Sequence, residues 1–276
     1  MTVPSIEQIA ARWSAHAERY HRWGDLTHGH PAYRNAWIDA LAGLVGHPGR
    51  DGSPPLRIAD IGTGTAEIAL LLAGMGHDVT GYDIAPGMLA VAQAKADAAR
   101  VPSAGVTVRF EHGDAYDLPL ADAAVDVVIN RMVFWTLHDP GAALREWRRV
   151  LAPGGRIVVI DALHFATPTT VRERAHRVRE RAFWTTLGRF EHARDRLRYG
   201  RRNGRSGQYR SDAVQPPGMR WQGVADAKRH FTEAGLSTVI PGRLDTVADA
   251  HRRTASLRWR AAGLLPRFFT LTWTRR

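Results

Sequence analysis

The chain has 276 residues, no cysteine, and 38 Lys and Arg against 27 Asp and Glu. With 44% hydrophobic and 24% charged residues, it has the composition of a folded globular protein rather than a disordered one. The lack of cysteine excludes disulfides, thiolate metal sites and cysteine nucleophiles, and it favours a cytoplasmic location. Residues 1–10 have no secretory-signal pattern, and no stretch approaches the roughly 20 apolar residues of a membrane helix.

The positive charge is concentrated in one segment. Residues 171–210 carry 13 arginines against four acidic residues, which accounts for +9 of the net charge of +11. Such a charge run is usually the solvated face of a helix, and we favour that interpretation. The alternative is a surface that binds nucleic acid.

Two amphipathic helices are predicted at the N-terminus. Ser5 stands three residues before a Gln, as in a capping box, and it begins a helix that runs to Arg22. A second helix begins at Pro31, and residues 47–55, rich in Gly, Pro and Asp, predict a surface loop. We expect residues 1–50 to form a helical cap.

From residue 56 onward, strands alternate with helices. Apolar runs bounded by turn residues predict strands at 56–60, 78–83, 106–110, 125–130 and 156–161. Helices are predicted to end near Met75, to span Pro86–Arg100 and to span Pro140–Leu151. This alternation indicates an α/β fold with a parallel sheet and right-handed crossovers.

The rest of the chain is less regular. Residues 165–220 predict an inserted helical segment on the acceptor side of the site, with a long helix over 168–199. Further elements are a helix over Val224–Ala234, a strand over Leu236–Ile240, a helix over 246–261 and a strand over Phe268–Thr274. We expect one domain over 1–276 and no metal site, since the sequence has no Cys/His ligand pattern.

The turn after the first strand is the most informative segment. Gly62 and Gly64 permit a tight turn in which a ligand can lie against bare backbone. Asp83 ends the second strand, where an acidic side chain can accept hydrogen bonds from both hydroxyls of a ribose. Glu67 stands where a dinucleotide loop has its third glycine, and its charge disfavours a pyrophosphate. The pattern predicts an adenosyl ligand without phosphates.

Five motifs in chain order resemble those of the class I S-adenosylmethionine (SAM)-dependent methyltransferases. They are Asp60-Ile61-Gly62-Thr63-Gly64, Tyr82 to Leu89, Gly113-Asp114-Ala115 with Leu118-Pro119, Val125 to Val128, and Arg149 to Gly155. The resemblance covers residues 56–161, the expected SAM-binding core. It implies SAM as the cofactor and a Rossmann-like α/β fold. That fold has a seven-stranded sheet in the order 3-2-1-4-5-7-6, an antiparallel strand 7, helices on both faces and a helical cap.

The resemblance also implies a set of cofactor-binding residues. Asp83 would bind the ribose hydroxyls and Asp114 the adenine amino group. Asp60 has an alternative role as a cap of its own turn, and Arg131 as a partner in a surface ion pair. The expected set is Asp60, Gly62, Thr63, Gly64, Asp83, Ile84, Met88, Gly113, Asp114, Ala115, Asn130 and Arg131.

Three residues are candidates for catalysis. His138 follows the fourth strand and is a candidate base, with a structural hydrogen bond as its alternative role. Tyr20 and His28 belong to the cap, which we expect to act as a lid hinged at Gly24–Pro31.

The acceptor is predicted to be a small molecule. The chain lacks the Asn-Pro-Pro-Tyr motif that related enzymes acting on base amines or glutamine amides commonly carry after strand four. Residues 135–140 resemble the corresponding loop of bacterial methyltransferases that act on small metabolites. The expected function is methyl transfer to a small acceptor, such as a secondary metabolite, with no membrane partner. The alternatives are an RNA methyltransferase that uses 171–210 and a SAM-binding regulator without activity. A homodimer is compatible with the sequence.

Overall fold

The computed structural model describes residues 5–24, 30–99, 107–162, 223–254 and 268–276, together with the isolated residues 175 and 178. The Arg-rich segment 171–210 and the predicted long helix over 168–199 therefore lie outside the described residues, apart from those two positions. Among the described helices, none has the length and apolar character needed to cross a bilayer.

A seven-stranded sheet forms the centre of the molecule. Its strands are β1 (Arg57–Ile61), β2 (Asp78–Asp83), β3 (Val108–His112), β4 (Val125–Arg131), β5 (Leu151–Ala162), β6 (Ile240–Arg243) and β7 (Phe268–Thr274). The strand order is β3-β2-β1-β4-β5-β7-β6. The first five strands pair in parallel, whereas β7 pairs antiparallel with both β5 and β6. The predicted fold class and strand order are confirmed.

Helices cover both faces of the sheet. They are α1 (Ile6–Gly24), α2 (Pro31–Val45), α3 (Pro48–Asp51), α4 (Glu67–Met75), α5 (Pro86–Ala99), α6 (Pro140–Val150), α7 (Val224–Glu233) and α8 (Asp245–Thr254). The predicted capping box of α1 is confirmed, since the backbone N–H of Ser5 donates to Gln8 Oε1 over 3.0 Å and the N–H of Gln8 donates to Ser5 Oγ over 3.3 Å. The predicted surface loop after α2 contains the single helical turn α3.

The predicted strand over Leu236–Ile240 is wrong, because β6 begins only at Ile240. Leu236 instead completes a Schellman motif at the end of α7: its N–H donates to the Phe231 carbonyl, and the N–H of Gly235 donates to the Thr232 carbonyl. The apolar residue that suggested a strand is the buried contact that accompanies this cap. Thr238, with φ of 69°, then turns the chain before β6.

Two hydrophobic clusters lie on opposite faces of the sheet. One contains Trp37 and Leu41 of α2 together with buried residues of α4 and α8. The other contains Trp147 of α6 and Phe231 of α7. The central strand β4 contributes to both clusters, as its continuous apolar sequence predicted.

Candidate functional site

A pocket opens where the carboxyl ends of β1, β2 and β4 meet, beneath α1. Open α/β sheets bind ligands at this edge. Eleven of the twelve predicted cofactor residues line it, and Asn130 does not. The other described lining residues are Ile6, Ile9, Trp13, Tyr20, Ile61, Glu67, Ile68, Tyr116, Met132, Val133, Thr136, Leu137 and His138.

The glycine turn is held by two carboxylates. Thr63 donates from its hydroxyl to Asp60 Oδ2 over 2.8 Å, and the N–H of Gly64 donates to Asp83 Oδ2 over 2.9 Å. Gly62 and Gly64 have φ of 63° and 56°, a region that glycine enters without steric cost. A Cβ on Gly62 would lie 2.4 Å from Val133 Cγ2, so glycine is also required there by packing.

Asp83 is fixed at the end of β2 by two hydrogen bonds, and its carboxylate can still accept more. Its other oxygen accepts a hydrogen bond from the N–H of Ala85 over 2.9 Å. Burial raises the pKa of Asp83, although the backbone hydrogen bonds from Ala85 and Gly64 oppose that rise. Each carboxylate oxygen has two lone pairs, so both can accept a further hydrogen bond from a ligand that lies in the pocket.

Asp60 performs the turn-capping role that was its alternative. It is almost completely buried, and burial raises its pKa to about 7 despite the hydrogen bond from Thr63. The negative charge of Asp83 raises this pKa further, whereas the positive charge of Arg131 opposes the rise. Because Asp60 also lines the pocket, a cation bound beside it would favour its ionised form.

His138 also lines the pocket, in contact with Tyr116. The Tyr116 oxygen accepts hydrogen bonds from the backbone N–H groups of His138 (2.9 Å) and Asp139 (3.3 Å). It also lies 2.9 Å from His138 Nδ1. With its lone pairs occupied, the hydroxyl donates to Nδ1, and a neutral His138 therefore carries its proton on Nε2. In this arrangement His138 can donate a hydrogen bond from Nε2, but it cannot accept a proton there.

Asn130 and Arg131 point to opposite sides of β4, as successive residues of a strand do. The side chain of Asn130 is fully buried, and neither of its amide atoms has a hydrogen-bond partner in the described part of the chain. Arg131 faces the pocket, with its guanidinium carbon 5.0 Å from the centre of the Trp37 ring. The two residues predicted together thus occupy different surroundings.

Helix α1 supplies the outer wall of the pocket. Tyr20 and Trp13 both line it, with their rings edge to face at 6.0 Å. Trp37 anchors α2 in the core, whereas Trp13 of α1 both packs beside Met88 and lines the pocket. His28 lies outside the described residues.

His30 is the N-cap residue of α2. Its Nδ1 accepts a hydrogen bond from the N–H of Ala32 over 3.2 Å, and the side chain is exposed. It is not among the described residues that line the pocket.

Sequence reasoning missed a buried ion pair at the pocket wall. Glu67 of α4 is bound to Lys95 of α5, and both side chains are almost completely buried. The chain has only one other lysine, Lys228, so a lysine within the Ala-rich helix α5 was the available signal. The pair joins the helix after the glycine turn to the helix after Asp83.

Asp161 was also missed, although it ends β5 next to the site. It is fully buried and accepts hydrogen bonds from the N–H groups of Trp135 (3.1 Å) and Ala162 (2.8 Å). Burial raises its pKa to about 7. It fastens the segment after β4, which forms one wall of the pocket, to the neighbouring strand.

Comparison with known proteins places this site in a family. The family described as "Methyltransferase domain" matches residues 59–159. A 27-O-demethylrifamycin SV methyltransferase from Amycolatopsis mediterranei is 34% identical over 192 residues, which are 65% of this chain and 67% of that protein. A demethylmenaquinone methyltransferase from Thermus thermophilus is 46% identical over 109 residues, 39% of this chain and 47% of that protein. The chain thus spans about half the length of the first curated relatives that it matches.

Solved structures of low sequence identity share the fold. A SAM-dependent methyltransferase from Methanosarcina mazei is 17% identical with a TM-score of 0.51, and the match covers 81% of this chain and 93% of that one. The 4+2 cyclase SpnF is 17% identical with a TM-score of 0.60, and the match covers 100% of this chain and 97% of that one. The second match means that the fold alone does not determine the reaction. Together with the family match and the relative from Amycolatopsis, the ordered motifs show that the chain belongs to the family of S-adenosylmethionine-dependent methyltransferases.

Proposed function

We propose that this protein transfers the methyl group of SAM to a small-molecule acceptor. The observation that carries the proposal is the position of Asp83, held by two backbone N–H groups beside the Gly62–Gly64 turn, with lone pairs left for a ribose. The proposed cofactor residues are those that line the pocket: Asp60, Gly62, Thr63, Gly64, Asp83, Ile84, Met88, Gly113, Asp114, Ala115 and Arg131.

The residues present fit this cofactor. Asp114 is fixed by the N–H of Tyr116, which donates to its Oδ1 over 3.1 Å, and its remaining acceptor capacity suits an exocyclic amino group. Ile84 and Met88 offer apolar surface to a purine ring. Among the described residues, the Tyr20 ring and the Gly62 carbonyl alone lie within 4 Å of where a Cβ of Gly64 would stand, which leaves room for an extended chain.

The proposed chemistry demands positioning more than acid or base groups. When bound, SAM would supply an electrophilic methyl group, which an acceptor nucleophile would take by in-line attack as the S–CH3 bond breaks and the neutral thioether leaves. The chain's task is to align the nucleophile and to exclude water, and effects of this kind contribute about 7–11 kcal/mol at best. Trp13, Tyr20 and Met132 offer largely apolar surface for that purpose. The Nε2–H of His138 can orient an oxygen or nitrogen acceptor, in place of the base role first considered.

The choice of a small acceptor is supported by the relatives. Those named above carry the names of methyltransferases for demethylmenaquinone and demethylrifamycin. The largely apolar wall contributed by α1 suits a flat, partly apolar molecule of that kind. The RNA alternative depends on the Arg-rich segment 171–210, which lies outside the described residues apart from two positions. We also propose that the protein acts in the cytoplasm, because the absence of cysteine accords with a reducing compartment.

The test combines cofactor binding with product formation. Titration calorimetry should show one SAM site per chain. Formation of S-adenosylhomocysteine should then be followed with reduced demethylmenaquinone, with 27-O-demethylrifamycin SV and with transfer RNA. Asp83→Asn is the matched variant: it keeps the shape of the side chain but loses charge-assisted hydrogen bonds worth about 1.5–3 kcal/mol each.

The possible results separate the alternatives. Binding of SAM together with product from a small acceptor supports the proposal. Failure to bind SAM, or tighter binding of NAD, would refute it. Methylation of transfer RNA at physiological salt would overturn the small-molecule acceptor. If SAM were bound but never consumed, the protein would be a regulator or an enzyme of another reaction type.

A further inference from the structure

Arg131 is a cation whose charge no carboxylate of the described residues neutralises in an ion pair. It ends β4, is half-buried and lines the pocket. Within the described residues no ion pair joins it to a carboxylate, and its Nε is buried without a hydrogen-bond partner. A partly desolvated charge that no carboxylate balances is costly, so its position in a binding pocket calls for an anionic group on a ligand.

Two aromatic rings support the guanidinium from the side of the core. Its central carbon lies 5.0 Å from the Trp37 ring centre and 5.5 Å from that of Phe268. Cation–π contacts of this kind stabilise the charge while they occupy none of its N–H donors. Trp37 is fully buried and Phe268 nearly so, which holds the guanidinium in place.

Arg131 differs in charge from the other ionisable residues of the pocket wall, most of which are carboxylates. Four carboxylates line the pocket, from Asp60, Glu67, Asp83 and Asp114. Among the described lining residues Arg131 is the only arginine or lysine. One of the four carboxylates, that of Glu67, is already paired with Lys95. A ligand that complements these charges therefore carries cationic groups for the carboxylates and one anionic group for Arg131.

SAM has this pattern of charge. Its sulfonium and ammonium groups are cationic, and its methionyl α-carboxylate is the one anion. The methionyl part must lie beyond the ribose, along the bare backbone of the Gly62–Gly64 turn. Tyr20 packs over this turn, with its Cε1 3.8 Å from where a Cβ of Gly64 would stand. Burial raises the pKa of Tyr20, and the charge of Arg131 together with its hydrogen bond to Tyr20 opposes that rise.

We infer that Arg131 binds the α-carboxylate of SAM and so positions the methionyl part of the cofactor. This inference rests on the proposed function. A guanidinium can bind a carboxylate through two parallel hydrogen bonds, which fixes the direction of the bound group as well as its charge. Without that carboxylate, Arg131 would repel the sulfonium and ammonium of the same ligand.

The experiment compares SAM with decarboxylated SAM, which keeps the adenosine, sulfonium and amine. Calorimetry with the wild type should show SAM bound about ten- to a hundredfold more tightly than decarboxylated SAM, the range expected for hydrogen bonds to a charged group. In Arg131→Met the affinity for SAM should fall by a similar factor, while decarboxylated SAM should bind at least as well as before. Arg131→Lys, which keeps the charge, should restore part of the preference.

Controls exclude folding and long-range charge as explanations. Arg50→Met removes an exposed arginine, paired with Asp39, and should leave the ratio of the two affinities unchanged. The melting temperature of Arg131→Met should be measured without ligand. If that variant fails to fold, the wild-type ratio and Arg131→Lys decide the question.

Two results would overturn the inference, and they differ from failure of the proposed function. One is a wild type that binds SAM and decarboxylated SAM equally. The other is an Arg131→Met protein that keeps the wild-type ratio, which would assign Arg131 to an anionic acceptor instead. A wild type that binds neither compound would refute the proposed function itself.

Discussion

The two N-terminal helices, α1 and α2, differ in what they bury, although the sequence predicted them as one cap. Helix α2 places Trp37 and Leu41 in the core without any exposed surface. In α1, Ala17 is the only buried residue among those described, and Ile6 is 40% exposed. Helix α2 is therefore part of the domain core, whereas α1 is a separate cover over the pocket. The lid expected from the sequence stays a prediction, and with these contacts it would consist of α1 alone.

Helix α1 is attached to the domain through a small buried contact with α5, where the two helix backbones come close together. Its described contacts with α5 centre on Ala17, Ala85 and Met88. The N–H of Gly87 donates to Ser14 Oγ over 3.1 Å. So few buried atoms give α1 a weaker hold than α2, and segments that open locally have few buried contacts of this kind. We therefore expect α1 to leave and rejoin the site without unfolding the domain.

The largest expected difference comes from truncating one tryptophan in each helix. Trp37→Ala should lower the free energy of unfolding by about 3–5 kcal/mol, because it empties a fully buried site. Trp13→Ala removes a half-buried side chain and should mainly weaken SAM binding. Urea denaturation and calorimetry measure the two effects. Equal losses of stability in the two variants would show that α1 belongs to the core.

A methyl group on Gly87 should loosen α1 alone. A Cβ at this position would lie 2.8 Å from both Cα and O of Ser14, closer than such contacts allow. Overlap of this kind costs about 1–3 kcal/mol. If α1 must dock for SAM to bind tightly, the same cost lowers the affinity for SAM by about ten- to a hundredfold.

The control for this variant is a glycine in α2. In Gly43→Ala no atom of the described residues lies within 4 Å of the added Cβ. This variant should stabilise the protein by about 0.5–1 kcal/mol through helix propensity, with SAM affinity unchanged. If Gly87→Ala bound SAM as well as Gly43→Ala does, α1 would not be needed for cofactor binding.

The sheet and its turn residues could be predicted because local sequence determines them. The limits of β2 and β7 agree with the prediction to the residue. β3 begins two residues later than expected, at Val108. Just before it, the N–H of Thr107 donates to Asp78 Oδ1, a contact between residues far apart in the sequence. β5 extends back to Leu151, because Pro153 and the two glycines after it continue the strand instead of preceding it.

The features that the sequence did not reveal depend on distant partners. Helices α1 and α2 both carry aromatic residues, but which of these rings is buried depends on the elements packed around them. The role of His138 follows from Tyr116, 22 residues earlier, and the surroundings of Arg131 follow from Trp37 and Phe268. No local sequence pattern connects residues so far apart. The sequence therefore predicted His138 and Arg131 as site residues, but it did not predict which side chains contact them.

Tyr20 and His30 provide a smaller, functional comparison. Tyr20→Ala removes a ring that lines the pocket and helps to position the reactants. Turnover should therefore fall by about tenfold, which corresponds to a rise of about 1.4 kcal/mol in the activation free energy. His30→Ala removes the cap of α2, which should cost about 0.5–2 kcal/mol of stability and leave turnover unchanged. Steady-state kinetics and melting temperatures measured on both variants provide the check. Full turnover in Tyr20→Ala would argue that α1 is only structural.

The smallest expected effect is a dependence of α2 packing on pH. Tyr33 of α2 stacks on His251 of α8, with ring centres 4.7 Å apart. Burial lowers the pKa of His251 below its usual 6.5, and the positive charge of Arg131 lowers it further. The unfolded chain then binds the proton more readily than the folded one, so this contact loses stability as the pH falls through about 6.5. Buried Asp60 and Asp161, each with a pKa raised to about 7, act in the opposite direction, because protonation on acidification favours the folded state.

The contribution of His251 to this pH dependence must therefore be measured as a difference between the wild type and a variant that lacks the titrating ring. His251→Phe keeps a ring against Tyr33 but cannot titrate. Between pH 7.5 and 5, a range chosen to include these values of about 6.5–7, the wild type should lose stability relative to this variant. A constant difference across that range would show that the His251 ring can take up a proton without disturbing the α2 interface.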